Sequence, residues 1–252
     1  MLAGFVYYPA EEAHGVLRQY RDYANQVPEE VTTIVSLRRA PAAPFLPEHV
    51  HGKKVVALGA CYAGDPEEGE PVVAPLRRLG TPLADVLECK PFVVHQKTVD
   101  ATVPHFNRYY WKSHYLPPFS DDAIDTMIEY SWQAPSPLSY TIVFQLGGAV
   151  SRVGEMDTAY GNRDAAHTIN INSNWTNAAT DAENLAWARE YFAAMEPFST
   201  GGVYVNFLGE EGEERVKAAY GAEKYERLAV LKRKYDSSNF LRLNQNIQPH
   251  AR

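Results

Sequence analysis

The sequence predicts an α+β fold in which ferredoxin-like units form a large antiparallel sheet flanked by helices. In the first 97 residues, strand patterns and helix patterns follow one another in the order β-α-β-β-α-β. The rest of the chain repeats strands with helices, and no low-complexity linker or short repeat interrupts it. The simplest architecture is a single enlarged sheet, with residues 1–97 as a ferredoxin-like half and residues 98–235 as the second half.

The first half contains four predicted strands and two predicted helices. The strands are short apolar runs, several of them rich in β-branched residues, at 4–9, 30–38, 53–62 and the end of 85–96. The helices are predicted at 11–27 and 67–80, where they end at Pro28 and Gly80.

The second half opens with a stretch that is predicted to be loop-like, residues 98–118, and that contains the aromatic run NRYYWKSHY. Ser120 can cap the helix that follows. Residues 139–153 predict two strands separated by a kink at Gly147 and Gly148. The remaining elements are a strand at 166–175 and helices at 180–195, 210–220 and 222–235.

The strand AHTININSNW alternates strictly between two kinds of residue. Ile169 and Ile171 fall on one face, whereas Asn170, Asn172 and Asn174 fall on the other. A row of three amides is costly in a dry core unless each amide has a hydrogen-bond partner. The pattern therefore predicts one core face and one polar face that is covered by something else.

The C-terminal segment, residues 236–252, combines apolar residues with amides. Phe240, Leu241 and Leu243 precede Asn244, Gln245 and Asn246. Most domains let such an end fray, with small or charged residues that need no partner. This tail is therefore predicted to dock on a surface.

Composition and charge narrow the class of protein. With 252 residues, of which 45% are hydrophobic, the chain can bury a full core. The net charge of −7 and the absence of long basic runs argue against a nucleic-acid partner and favour a small molecule or a protein. Cys61 and Cys89 show no metal-binding spacing, and no apolar run is long enough to span a membrane. We expect a soluble, cytoplasmic protein.

Several motifs together resemble a known family. They are YYWKSHYL, SPLSYTIVFQLGGAVSRV, TAYGNRDAAHTININSNW, GGVYVNF and AAYGAEKYERLAVLKRKYDSSNFLRLNQNI. Over essentially its whole length the chain resembles the C-terminal half of bacterial FAD-linked oxidoreductases of the berberine bridge enzyme type. The closing run YG-x-x-KYERL-x-x-LKRKYD is the most specific part of this resemblance.

The resemblance implies that residues 1–252 are a substrate domain. Such a domain covers the isoalloxazine of an FAD that a separate N-terminal domain or subunit holds, and it handles a small molecule such as an alcohol, a sugar or a secondary metabolite. It also implies that residues 236–252 pack on the flavin domain through Asn244, Gln245 and Asn246. Because the chain has no G-x-G-x-x-G motif for the pyrophosphate, we expect the isolated chain to lack redox chemistry. The aromatic segment and the apolar tail predict that the isolated chain self-associates through the face meant for the flavin domain.

The resemblance also points to site residues. Tyr204 matches a tyrosine that can act as general base, and Asn206 shares its face if YVNF is a strand. The residues expected to face the substrate or the flavin are Asn206, Tyr160, Asn170, Asn172, Lys112 and Tyr110. For Tyr204 the alternative is a role in packing. For the whole chain the alternative is a non-catalytic ferredoxin-like binding module or a homodimer.

Overall fold

The computed structural model describes residues 1–209 and 212–249. In these residues the chain forms one eight-stranded sheet. Its strands are β1 (Leu2–Pro9), β2 (Val31–Arg39), β3 (Lys54–Tyr62), β4 (Ala84–Asp85), β5 (Glu88–Cys89), β6 (Arg108–Leu116), β7 (Tyr140–Gln145) and β8 (His167–Trp175). The helices are α1 (Ala13–Ala24), α2 (Pro66–Val73), α3 (Phe92–Gln96), α4 (Asp121–Trp132), α5 (Ala149–Arg152), α6 (Asp181–Met195), α7 (Glu213–Tyr220) and α8 (Ala222–Tyr235).

The strands pair antiparallel in the order β4-β1-β3-β2-β7-β8-β6, and β5 also pairs with β1. The predicted β-α-β-β-α-β order is present in the first half, although its last strand is reduced to the two short pieces β4 and β5. Pairing of β2 with β7 joins the two halves, so one sheet runs through both. The predicted α+β class with a large antiparallel sheet is confirmed.

Helices cover one face of this sheet. Leu17 and Tyr20 of α1, Met127 of α4 and Trp187 of α6 pack against inward-facing strand residues, which include Val6, Val35, Leu58, Ile169 and Ile171. Full burial of each aliphatic side chain stabilises the fold by about 1.5–3 kcal/mol. We call this side of the sheet the helix face.

The opposite side, which we call the open face, carries no helix layer. At the β1 and β3 end it is covered by the loop after β2, where Ala40, Leu46 and Val50 pack on Tyr7 and Val55. Over β2, β7, β8 and β6 the open face presents polar and aromatic side chains together with two aliphatic ones, Ile34 and Ile142. The polar face predicted for AHTININSNW is part of it.

Three segments differ from the sequence prediction. Part of the segment predicted to be loop-like, Arg108–Leu116, forms β6, because its aromatic residues lie on both faces and so hide the usual contrast of polar and apolar positions. Phe92–Gln96 is a short helix rather than the end of a strand. After Gly148, whose φ is +54°, Ala149–Arg152 also forms a helical turn instead of a strand. The predicted helix 210–220 begins at Glu213 within the described residues, since residues 210 and 211 lie outside them.

In the described part of the chain, each helix is too short or too polar to cross a bilayer. In the same residues, His, Cys, Asp and Glu side chains form no cluster suited to a metal ion.

Candidate functional site

A cavity of about 720 Å³ lies at one end of the open face. Its floor is the sheet, where β6, β7 and β8 contribute Tyr115, Phe144 and Thr168. Its walls come from the two loops that carry Tyr160 and Tyr204, together with the loop before β2. We call this space the tyrosine cavity, since three tyrosines line it.

The three tyrosines of the cavity contact one another. The Tyr115 hydroxyl donates a hydrogen bond to the Tyr160 hydroxyl at 3.2 Å. The Tyr160 ring meets the Tyr204 ring edge-on, with centroids 6.0 Å apart. Burial raises the pKa of Tyr115 strongly, and its hydrogen bond to Tyr160 acts in the same direction. Tyr115 is therefore a neutral donor that helps to orient Tyr160.

Tyr204 and Asn206 belong to a tight turn rather than to a strand. Val205–Phe207 forms one turn of 3₁₀-helix directly after Tyr204. The Asn206 Nδ2 donates to the Tyr204 hydroxyl oxygen at 2.7 Å, and Phe207 packs edge-on against the Tyr204 ring. The two residues thus come together as the motif predicts, but through the turn and not through alternation along a strand.

A lysine of α8 holds the backbone of the loop that carries Tyr160. Lys224, which is 4% exposed, donates to the Tyr160 carbonyl at 3.0 Å and pairs with Glu155. Burial alone would raise the pKa of Glu155, but the Lys224 ammonium and nearby backbone N–H groups outweigh burial and lower it. In the same loop Asn162, with φ of +59°, donates to the Ala219 carbonyl at 3.4 Å.

Lys224 is a residue that the sequence prediction missed. The only signal was its position in the family-like run YG-x-x-KYERL, where a lysine next to a helix start is normally read as a solvated surface group. A nearly buried lysine with two hydrogen-bond acceptors instead fixes the loop that carries Tyr160.

Asn170 and Asn172 lie on the open face, further along β8 from the tyrosine cavity. The Asn172 Nδ2 donates to the Asn170 carbonyl at 3.1 Å. The Asn170 Oδ1 is buried and has no donor within the described residues. An unsatisfied buried acceptor costs about 1–3 kcal/mol. A hydrogen-bond donor from outside the surrounding residues would remove this cost at the Asn170 Oδ1.

Lys112 and Tyr110 lie on the helix face instead, across the sheet from Tyr204. The Lys112 Nζ lies 5.0 Å from the centre of the Phe192 ring on α6 and 5.8 Å from that of Tyr110. Arg189 of α6 also contacts Tyr110, at 3.4 Å. Successive residues of β6 face opposite sides of the sheet. Because Tyr115 faces the cavity, Lys112, three residues earlier, faces the other side.

The C-terminal tail is partly bound to its own chain. The Gln245 Nε2 donates to the Leu208 and Gly209 carbonyls at 2.8 and 3.1 Å, and Ile247 packs on a small apolar cluster formed with α7 and α8. Asn244, Gln245 and Asn246 line a cavity of about 470 Å³ against the loop before α7. Gln245 and Asn246 are half-buried there, whereas Asn244 is exposed. The exposed large apolar residues of the tail are Phe240, Leu241 and Leu243, which are 83, 71 and 86% exposed.

Comparisons with known proteins agree with this architecture. Residues 203–248 match the family described as "Berberine and berberine like". An uncharacterized FAD-linked oxidoreductase of Bacillus subtilis is 28% identical over 217 residues, which are 85% of this chain and 47% of that protein. An FAD-linked oxidoreductase of Dictyostelium discoideum is 25% identical over 250 residues, covering 98% and 51% of the two chains. This chain thus spans about half the length of the curated relatives it matches.

Solved structures show the same fold. 6-Hydroxy-D-nicotine oxidase from Arthrobacter nicotinovorans superposes with a TM-score of 0.79 at 23% identity, covering 99% of this chain and 55% of that one. The berberine-bridge-enzyme-like protein 1 of Physcomitrella patens gives a TM-score of 0.76 at 18% identity, covering 99% and 54%. Sequence and fold together thus make this chain similar to about half of an FAD-linked oxidoreductase, and residues 203–248 carry the berberine-like match.

Proposed function

We propose that this chain forms the substrate-facing part of an FAD-dependent oxidoreductase that oxidises a small-molecule donor such as an alcohol, a sugar or a secondary metabolite. The observation that carries the proposal is the tyrosine cavity, in which the phenol oxygen of Tyr204 is held by Asn206 at the end of a polar open face. Relatives named as FAD-linked oxidoreductases supply the reaction class.

The side chains of the open face fit the ring system of a flavin rather than its phosphates. Exposed Asn206 and the partly satisfied amides of Asn170 and Asn172 can both donate and accept hydrogen bonds, as the polar edge of an isoalloxazine requires. A glycine-rich phosphate loop does not occur in the sequence. We therefore assign the pyrophosphate to a flavin-binding domain or subunit that acts with this chain.

In this proposal Tyr204 accepts the proton that the donor hydroxyl loses. A bound FAD would supply the acceptor for the hydride of the donor carbon. Tyr204 takes the proton that leaves the donor hydroxyl and releases a proton to solvent, to which it is partly exposed. Asn206 holds the phenol oxygen, while Tyr160 and Phe207 contact the ring edge-on from two sides.

The exposed residues of the tail supply a contact for the flavin-binding partner. Phe240, Leu241 and Leu243 form an apolar surface that Gln245 and Ile247 anchor to the body of the chain. Exposed apolar patches of this kind mark interaction sites. Without its partner the chain is expected to be colourless and inactive in redox assays, and to self-associate through this surface.

The test uses this chain joined to the flavin-binding part of a relative. Tyr204→Phe keeps the ring and removes the hydroxyl, so flavin reduction in a single anaerobic turnover should slow by about 10²–10⁴-fold. Tyr235→Phe, at a 75% exposed tyrosine of α8, is the matched control and should reduce flavin at the parental rate. If Tyr204→Phe also reduces flavin at the parental rate, Tyr204 is a packing residue and this assignment fails.

A non-catalytic role as a binding module or homodimer is the second candidate. It is favoured by a separate set of exposed apolar residues around α3 and the loop after it, which includes Phe92, Val93 and Phe106. A chain that dimerises through these residues, and whose tyrosine cavity is closed by the second copy, would support this candidate. Light scattering combined with Phe92→Ser and Phe240→Ser variants distinguishes the two surfaces.

A further inference from the structure

A third cavity, of about 400 Å³, lies at the end of the open face opposite the tyrosine cavity. Arg38, Tyr140 and Asn174 line it from the sheet, and Asn107 and Ser139 line it from the neighbouring segments. Arg38 lies on the open face because it pairs with Val55, whose side chain packs on that side. We call this space the arginine cavity.

Arg38 has no acidic partner in the part of the chain that the structure describes. Its guanidinium lies 5.4 Å from the centre of the Tyr140 ring, and its buried Nε has no hydrogen-bond acceptor. No carboxylate of residues 1–209 or 212–249 pairs with it. A partly buried guanidinium without a counter-ion is unfavourable, since burial removes water from the charge and nothing replaces it.

Two further cations lie at the same end of the sheet as Arg38 but on its helix face. Arg39 and Lys54 lie at the same end of β2 and β3, where Arg39 donates to the Gly52 carbonyl at 3.0 Å and Lys54 lies 5.9 Å from the centre of the Trp132 ring. The groups nearest to Arg38 are phenols. Burial raises the pKa of Tyr7 and of Tyr140, and the Arg38 charge opposes this increase in both. These phenols therefore stay neutral and do not compensate the cation.

We propose that the arginine cavity binds an anionic group, a carboxylate or a phosphate, of a small molecule that lies along the open face. A guanidinium stacked on an aromatic ring presents its N–H groups edge-on, which suits bidentate binding of such groups. The inference deepens the proposed function, on which it rests for the identification of this molecule as substrate or cofactor.

The spacing of the two cavities constrains the ligand. Phe144 lines the tyrosine cavity and Tyr140 lines the arginine cavity, four residues apart on β7. At about 3.4 Å per residue the two sites are roughly 14 Å apart. A substrate that reaches both has its acidic group far from the carbon that is oxidised, which excludes a short hydroxy acid.

The test is an NMR titration of the chain with benzoate, benzamide and inorganic phosphate, at pH 7 and constant ionic strength. The reporter is the ¹⁵N-labelled Nε–Hε group of Arg38, assigned by its loss in Arg38→Gln. We expect benzoate or phosphate to shift this signal saturably, and benzamide to leave it in place. Arg38→Gln should weaken binding of the same anion at least tenfold, measured at the Tyr140 ring. Lys53→Gln removes one charge from an exposed neighbour and should retain the affinity within about twofold.

Each outcome decides the proposal. A shift with benzoate supports a carboxylate-bearing substrate, and a shift with phosphate alone supports a phosphate group of substrate or cofactor. No saturable shift with either anion overturns the anion site, as does an equal shift with benzamide. Equal weakening by Lys53→Gln overturns it too, because the effect would then reflect net charge alone. Thermal unfolding of each variant shows whether it folds, and Arg38→Lys, which keeps the charge, is expected to bind with intermediate affinity. The titration needs no flavin, so its result is independent of the Tyr204 experiment.

Discussion

The two faces of β8 differ in what surrounds them and in what they can do. On the helix face, Ile169 and Ile171 are completely buried against the helices. On the open face, Asn170 and Asn172 are also buried, at 3 and 7% exposure, but carry amides, and the Asn170 oxygen lacks a donor. The helix face therefore stabilises the fold, whereas the open face carries a polar group whose hydrogen bonding is incomplete. Alternation along one strand produces this difference.

The largest expected effect on the free energy of unfolding comes from replacing an isoleucine by alanine, which we compare on the two faces of the sheet. Ile171→Ala deletes a fully buried side chain of the helix face and should lower the free energy of unfolding by about 2–5 kcal/mol. Ile142→Ala, at a half-buried position of the open face on β7, should cost clearly less. Urea unfolding of both variants measures the difference. Equal losses would show that the open face packs as tightly as the helix face.

The second prediction concerns His167, on the helix face. Its ring is stacked on Phe119 at 4.0 Å, and burial lowers its pKa to about 4, with the Pro117 carbonyl acting in the opposite direction. The unfolded state, with a pKa near 6.5, binds more protons between these values, so the free energy of unfolding should fall as the pH drops from about 6.5 to 4. The total contribution is about 3 kcal/mol at most.

Comparison with His167→Gln isolates this contribution, since carboxylates titrate in the same range in both proteins. The difference in unfolding free energy between parent and variant should change between pH 7 and pH 4.5. A difference that is independent of pH would mean that the pKa of His167 is the same in the folded and unfolded states.

The smallest expected effect on stability is at Asn206. Its side chain is exposed, so Asn206→Ala should change the free energy of unfolding by no more than about 0.5 kcal/mol. In the rejoined flavoprotein the same change removes the hydrogen bond to Tyr204, worth roughly 0.5–1.5 kcal/mol, and should slow flavin reduction by up to about tenfold. A large loss of stability without a change in rate would make Asn206 a structural residue of the turn.

Local patterns in the sequence were sufficient for much of this fold. The order of elements in the first half and the alternation of AHTININSNW were predicted correctly, because periods of 2 and 3.6 residues depend on near neighbours. β6 was missed for the same reason, since aromatic residues on both of its faces erase the period. Tyr204 and Asn206 do lie together, but in a turn and not on the predicted strand face.

By itself, then, the sequence determined the α+β class, the antiparallel elements and the motif that resembles the family. Only the tertiary structure decided that β2 and β7 join the halves, that Lys224 holds the Tyr160 loop, that Lys112 and Tyr110 face away from the cavity, and that Arg38 lies at the far end of the open face. The physical reason is that these contacts join residues far apart in the chain. Which distant strands pair, and which face each then presents, depends on packing of the whole sheet rather than on any local pattern.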